Sequence, residues 1–542
     1  MMNKIIEGNL VDVVGGQIFP GRIIYHEGII VSVEPLSENK GPYILPGLID
    51  AHVHIESSML LPSEFARLAV VHGTTATVSD PHEIANVLGI EGVKFMIENG
   101  KTVPFHFNFG APSCVPATQF ESSGANLGAE QVDELLAMPE IKYLSEMMNY
   151  PGVLSEQPEV MEKLNAAKKY NKPVDGHAPG ILGDQARQYA AAGISTDHEC
   201  FTQDEAIDKI QAGMKVLIRE GSAARNFDEL IPLLKYYPDM IMFCSDDKHP
   251  DGLIKGHINL LIKRALDAGL DFMDVIRACT LNPVMHYGLN SGLLQEGDYA
   301  DFIVVDNLKE LNIIETYVEG RLVASNGKSL IKSGESKTPN NFNARHITTT
   351  DLKIKAEGEK IRIQRAIEGQ LITEAEEAKA NIVDGFVESD VNNDVLKMLV
   401  MNRYRPSNPA LSFVSGFGLK HGAIASTVAH DSHNIIAVGA DDESLVMAVN
   451  ALVESKGGIC VVNNDDVSIL PLPVAGIMSD GDGYMVAEQY QQLNKKALEL
   501  GTSFRAPFMT LSFMALLVIP AIKLSDRGLF DGNNFSLVGL FK

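Results

Sequence analysis

The sequence predicts an α/β fold centred on a (β/α)8 barrel, on three observations. Residues 46–288 alternate short apolar runs with amphipathic helical stretches, as a parallel sheet with crossover helices requires. Eight such runs fall within about 240 residues, against the ~250 typical of a (β/α)8 barrel. Each run ends in polar or reactive residues, the composition expected where strands meet a working rim. A doubly wound open sheet would satisfy the same spacing, but no glycine-rich phosphate-binding fingerprint follows any of the runs.

Taken in order, residues 1–45 carry short β-type runs (LVDVV, RIIYH, IIVSVEP) punctuated by Gly15, Gly16, Gly21 and Gly28. The same texture returns in DFIVVD, IIETYVEG and RLVASNG, within 289–340. Both flanks are therefore expected to pair into one small β-sandwich domain interrupted by the barrel. The eight barrel strands are predicted at 48–54, 74–80, 104–110, 142–148, 173–179, 194–200, 215–221 and 240–247. Between them lie helical pieces such as SEFARLAVVHG, EGVKFMIENG, EVMEKLNAAKKYN, DQARQYAAAG and GHINLLIKRALDAG. A polar segment, SGESKTPNNFNARH, breaks the pattern around 340, and 341–542 reads as a separate α+β domain. Its strands are IIAVGA and GGICVVNN, and its helices DESLVMAVNALVES and GYMVAEQYQQLNKKALEL. Three units agree with the three to four that 542 residues imply at about 150 per domain.

Composition narrows the partners. The formal charge of −25 repels phosphate backbones, which argues against nucleic acid. Five cysteines (Cys114, Cys200, Cys244, Cys279, Cys460), odd in number and never spaced Cys-x-x-Cys, read as free thiols of a reducing compartment. No apolar leader is visible at the N-terminus, and the most apolar stretch, 508–522, has 15 residues and contains Pro520, short of the ~20 that span a bilayer. The expected location is cytoplasmic, with the 508–522 stretch in a buried core. An apolar stretch in a C-terminal domain of this kind also suggests a homo-oligomer, a dimer or larger.

The chemistry lies at the strand ends. His52 and His54, two apart at the end of the first strand, direct both imidazoles to one face, where they can share an ion. Glu146 ends the fourth strand, His177 the fifth, His198 the sixth and Asp246 the eighth. Four imidazoles and two carboxylates on one rim suit Zn, Mn or Fe and not Ca or Cu(I). A carboxylate bridging two ions would give a binuclear centre that lowers the pKa of a bound water. The His54-Ile55-Glu56 triplet also imitates the His-x-Glu of zinc nucleobase deaminases, but the Pro-Cys-x-x-Cys they need is absent.

This constellation resembles the metal-dependent amidohydrolase superfamily. The phrases PGLIDAHVHIESSML, TTATVSDPHEIANVLG, EMMNYPGV, GHAPG, STDHEC, REGSAARN, CSDDKHP and SFMALLVIPAIKLSDRGLFD extend the resemblance over essentially the whole chain, to the bacterial-type adenine deaminase family. Glu146 stands where most two-metal amidohydrolases carry a carboxylated lysine, and adenine deaminases are similar in that departure. The resemblance implies two divalent ions, Mn2+ or Fe2+ ahead of Zn2+. His52, His54 and Asp246 would hold one, His177 and His198 the other, and Glu146 would bridge them. Asp246 would also carry a proton from the attacking water, and metal-activated hydroxide would attack C6 of adenine to leave hypoxanthine and ammonia.

Around these, Asp247 is a candidate for a purine ring nitrogen or, alternatively, a helix N-cap. Arg219, Glu220 and Ser222 are candidates for contacting the base, or Arg219 and Glu220 for pairing with each other. Asp80 and His82 are candidates for an additional ion or for shaping the pocket. His430 and His433, in AHDSHN, are expected in a loop or an interface outside catalysis. Two other functions share these features: hydrolysis of another aminated heterocycle or a cyclic amide, and a non-catalytic binding protein on the same scaffold.

Overall fold

Eight short parallel strands occupy the middle of the chain in the computed structural model, which describes residues 3–38, 41–222 and 224–542. They are β1 (Leu48–Val53), β2 (Thr74–Ser79), β3 (His106–Ala111), β4 (Ile141–Met147), β5 (Val174–Gly176), β6 (Thr196–Asp197), β7 (Lys215–Arg219) and β8 (Ile241–Cys244). Strands β1 to β5 pair in order as one parallel sheet, and β6 to β8 as another. Bridges link the two sheets at both ends: Val174 pairs with Ile194, and Val53 with Asp246. The backbone N–H of Ser195 donates to the Val174 carbonyl (2.8 Å), and that of Asp246 to the His52 carbonyl (3.0 Å).

Near-continuous apolar runs form these strands because both of their faces are covered. On the helix side, Val216, Ile218, Ile241 and Phe243 pack against Ile258, Leu261 and Ile262 of the helix Ile258–Asp267. Between the strands, Ile49, Ala51, Ala76, Val78, Tyr143, Leu217, Met242 and Cys244 meet in one buried cluster. Residues of β1, β2 and β4 thus touch residues of β7 and β8, across the space the two sheets enclose.

β5 and β6 are shorter than the runs 173–179 and 194–200 suggest. Side chains replace the ladder there. The N–H of His177 donates to the Tyr189 hydroxyl (3.1 Å), that of Ala178 to Asp197 Oδ2 (3.1 Å), and that of Glu199 to Asp197 Oδ1 (2.7 Å).

The flanks form one sheet where the sequence suggests a sandwich. Its unbroken order is Lys328–Ser329, Arg321–Ser325, Ile313–Val318, Phe302–Val305, Tyr43–Pro46, Lys4–Asp12, Gln17–His26, Ile29–Pro35. Ile30 N donates to the Asp298 carbonyl and Ala300 N to that of Gly28, so the sheet curls and encloses Leu10, Ile23, Tyr25, Ile44, Phe302 and Val304. Val11, Leu45, Ile303 and Val305 face the other way, against the helices of the middle region.

Beyond 340, a second eight-stranded sheet carries the helix Asp442–Ser455 on one face. Asp441 caps that helix by accepting from Ser444 N (2.7 Å), and Leu445, Ala448, Val449 and Leu452 bury against Leu399, Ala437 and Cys460. The apolar stretch around 508–522 begins in the buried helix Pro507–Phe513 and is mostly buried within this chain, with Pro520 exposed. All five cysteines are free and buried. Among the described residues no helix is long and apolar enough to cross a membrane.

Candidate metal centre

Where the strands end, their pairing becomes irregular, and the reactive side chains sit at the irregularities. The β1–β2 register slips between Asp50 and Val53, at His52, and the β4–β5 register slips between Leu144 and Met147, at Glu146. Such slips re-aim side chains beside active sites. Asp246 follows β8 with φ of +53°, a left-handed conformation that aspartate tolerates better than most residues and that turns the chain across the strand ends.

The result is a converging set of buried ligand atoms. His52 Nε2 and His54 Nε2 lie 3.2 Å apart. Asp246 Oδ1 lies 3.7 Å from the first and 3.3 Å from the second. Glu146 divides its oxygens. Oε1 is 3.3 Å from His54 Nε2, and Oε2 is 2.7 Å from His177 Nδ1 and 3.1 Å from His198 Nε2. His52 and His198 stack at 4.2 Å between centroids. Two imidazole nitrogens aimed at each other with a carboxylate oxygen beside both form the donor set of a shared cation, and the six residues therefore fit divalent metal. His52 with His54 and Asp246, and His52 with Glu146 and His198, each bring three ligand atoms close enough for one ion.

Charge follows geometry. Burial would raise the Glu146 carboxyl, but the imidazoles of His177 and His198 outweigh it and hold it well below the usual carboxylate range. Burial likewise opposes ionisation of Asp246, and the Arg219 guanidinium, with His54 and His198, holds it well below. Arg219 donates to Asp246 Oδ2 at 2.6 Å and to Glu199 Oε2 at 2.9 Å. Burial, together with the neighbouring His198 and His54, drives His52 well below the ordinary imidazole value, whereas, against the same burial, the nearby carboxylates hold His54, His177 and His198 above it.

All six predicted ligands therefore come together. Asp80 and His82 join them: His82 Nδ1 is 3.0 Å from Asp80 Oδ2 and 3.4 Å from Glu146 Oε1. Asp247 lines the same cavity and accepts from the Ser57 hydroxyl; it caps no helix. Arg219 also lines the cavity, but paired with Glu199 and Asp246 and not with Glu220. Glu220 and Ser222 turn away. Glu220 pairs with Arg264 (2.9 Å), Ser222 Oγ accepts from His249 N (2.9 Å), and both line a different cavity. The strand ends at Arg219, so the polar residues after it belong to a loop that leaves the rim.

His430 and His433 lie in a loop, as expected, and that loop packs against the cavity. Both face Glu83, and His430 lines the cavity with Asp431, Phe513, Leu516 and Leu371. Glu83, Glu199 and Asp431 escape sequence reasoning although each directly follows a histidine in PHE, DHE or AHD.

Residues 43–323, more than half of the chain, match the amidohydrolase family. Fold, ligand set and match define the class: an amidohydrolase. Residues 370–536 match the adenine deaminase C-terminal domain. The chain is 55% identical to the adenine deaminase of Salinibacter ruber over 99% of its own length and 98% of that protein's. It is 53% identical to that of Methanosarcina barkeri (99% of each chain) and 46% identical to that of Borreliella burgdorferi (98% of this chain, 99% of that one). The chain belongs to the adenine deaminase family.

Proposed function

We infer that the chain is an adenine aminohydrolase that converts adenine to hypoxanthine and ammonia. One observation carries the reading: a complete, buried set of four imidazoles and two carboxylates, in a chain whose full length is similar to adenine deaminases. Two divalent ions, manganese or iron ahead of zinc, would be held by His52, His54 and Asp246 and by His177 and His198, with Glu146 between them and Asp80 and His82 extending the set. Bound there, such ions supply a nucleophilic water at neutral pH and offset charge developing on the attacked ring.

The chain's own groups do the rest. Arg219 engages one oxygen of Asp246, and the carboxylate would take a proton from water attacking C6 through the other and deliver it to the departing amino group. Asp247, which accepts from the Ser57 hydroxyl, would meet a ring nitrogen of the base. The apolar lining of Met148, Phe513 and Leu516 suits a planar uncharged ring and keeps bulk water from the attacked carbon.

We further read the eight strands as one closed (β/α)8 barrel, supported by the bridges at both sheet junctions and the cluster shared across the enclosed space. The chain then divides into 1–45 with 289–340, 46–288, and 341–542. Five buried free thiols support a reducing, cytoplasmic setting. A homo-oligomer stays part of the proposal, although little of the 508–522 stretch is exposed to form its interface.

Incubating metal-loaded protein with adenine, and in parallel with cyclic amides, tests the function. Ammonia and hypoxanthine from adenine, with the cyclic amides untouched, is the expected outcome. The reverse pattern would replace the substrate class while keeping the hydrolytic site.

A further inference from the structure

The six-ligand cluster accounts for the floor of the cavity, while its roof comes from beyond residue 340. His430, 2% exposed, stacks on Phe513 at 4.8 Å and 19° between ring planes. Its Nδ1 faces Glu83 Oε1, and its Nε2 is buried with no hydrogen-bond partner among the described residues. The other Glu83 oxygen faces His433 Nε2.

Glu83, His430 and His433 are close enough to hold a cation, but hydrogen bonding argues for a different role. His433 Nδ1 accepts the backbone N–H of Ala429 (3.2 Å), so the proton of a neutral ring sits on Nε2 and is donated to Glu83. A protonated ring nitrogen has no lone pair for a metal. With one oxygen engaged by His433, Glu83 accepts the Nδ1–H of His430 on the other. The trio is a brace that fixes the His430 ring and leaves its Nε2 as an unpartnered polar atom at the cavity, where a bound base can meet it.

We propose that His430 contacts the substrate, its Nε2 making a hydrogen bond to a ring nitrogen of the bound purine, with Glu83 as its positioning residue. This deepens the adenine aminohydrolase reading and rests on it. It also gives the C-terminal region a task at the site: the barrel supplies the ligands, and the roof supplies a group that recognises the base.

The test uses full-length, metal-loaded protein and the variants His430→Phe, which keeps an aromatic ring on Phe513, His430→Gln, which keeps a hydrogen-bonding group, Glu83→Gln, and the double variant Glu83→Gln/His430→Phe. Metal content, melting temperature, hypoxanthine affinity by calorimetry, and kcat and KM for adenine are read for each. His430→Phe is expected to keep wild-type metal content and melting temperature while losing about 10- to 100-fold in kcat/KM and in hypoxanthine affinity, as one hydrogen bond to a buried partner warrants. His430→Gln should recover part of that loss. If Glu83 acts through His430, the double variant is no worse than His430→Phe alone, whereas an independent structural role would add its own loss. Wild-type kcat/KM and hypoxanthine affinity in His430→Phe would overturn the proposal, and so would the loss of one metal equivalent per chain. A wild type that binds hypoxanthine but releases no ammonia would overturn the deaminase reading instead, with the binding arm still deciding on His430.

Discussion

Glu146 serves two pairs of imidazoles with one carboxylate: Oε1 faces His54 and His82, and Oε2 faces His177 and His198. Asp246 differs, since one oxygen faces His52 and His54 and the other is engaged by Arg219. The two carboxylates should therefore fail differently. Glu146→Gln is expected to lose metal and activity together. Asp246→Asn should keep most of its metal and lose about 10²- to 10⁴-fold in kcat, the usual worth of a proton-transferring side chain. Metal analysis beside steady-state kinetics checks both, and near-normal rates in both variants would mean the ligands are misassigned. A second residue-scale case is Lys523, fully buried, whose ammonium donates to the carbonyls of Leu371 (2.7 Å) and Phe513 (2.9 Å), two residues of the cavity roof. Burial pushes its pKa down to about 7 from 10.5. Between those values the unfolded chain binds the extra proton, so stability gains with rising pH across that window. The melting temperature of the wild type, measured against Lys523→Met, should accordingly rise between pH 7 and pH 10. A flat difference would show that Lys523 keeps its charge in the fold.

Strand ends determine what could be read from the chain. The order of the eight strands and the six converging residues were legible because apolar runs repeat and all but one of them, 104–110, carry a His, Glu or Asp among their last residues. The lengths of β5 and β6 were not legible, because side chains there take over backbone hydrogen bonds that a ladder would otherwise make. Tyr189 is the clearest instance. Its hydroxyl accepts from His177 N (3.1 Å) and donates to the Met147 carbonyl (2.8 Å), joining the ends of β4 and β5 behind two ligands. Tyr189→Phe removes this tie and should weaken metal retention by about 10- to 100-fold, as lost support behind a ligand typically does. Competition with a chelator measures it, and unchanged retention would mean that the strand ends are held elsewhere. The destination of Glu220 and Ser222 was equally hidden, since periodicity shows where a strand runs but not which way the loop after it leaves.

The site is assembled from parts far apart in sequence. Glu83 and the pair His430 and His433 are separated by about 350 residues, which no local pattern connects. That is why sequence shows His430 and His433 as a loop or an interface but not that the loop stands over the cavity. The −25 charge agrees with a neutral free base as substrate, because such a molecule needs no steering by the protein's field. What unites the middle and C-terminal regions is the cluster of histidines and carboxylates between them, and stepwise return of metal to stripped protein tests it most directly. Apo protein titrated with Mn2+ while ammonia release from adenine is followed should gain activity up to two ions per chain and then level off. Saturation with no ammonia released from adenine would contradict the account.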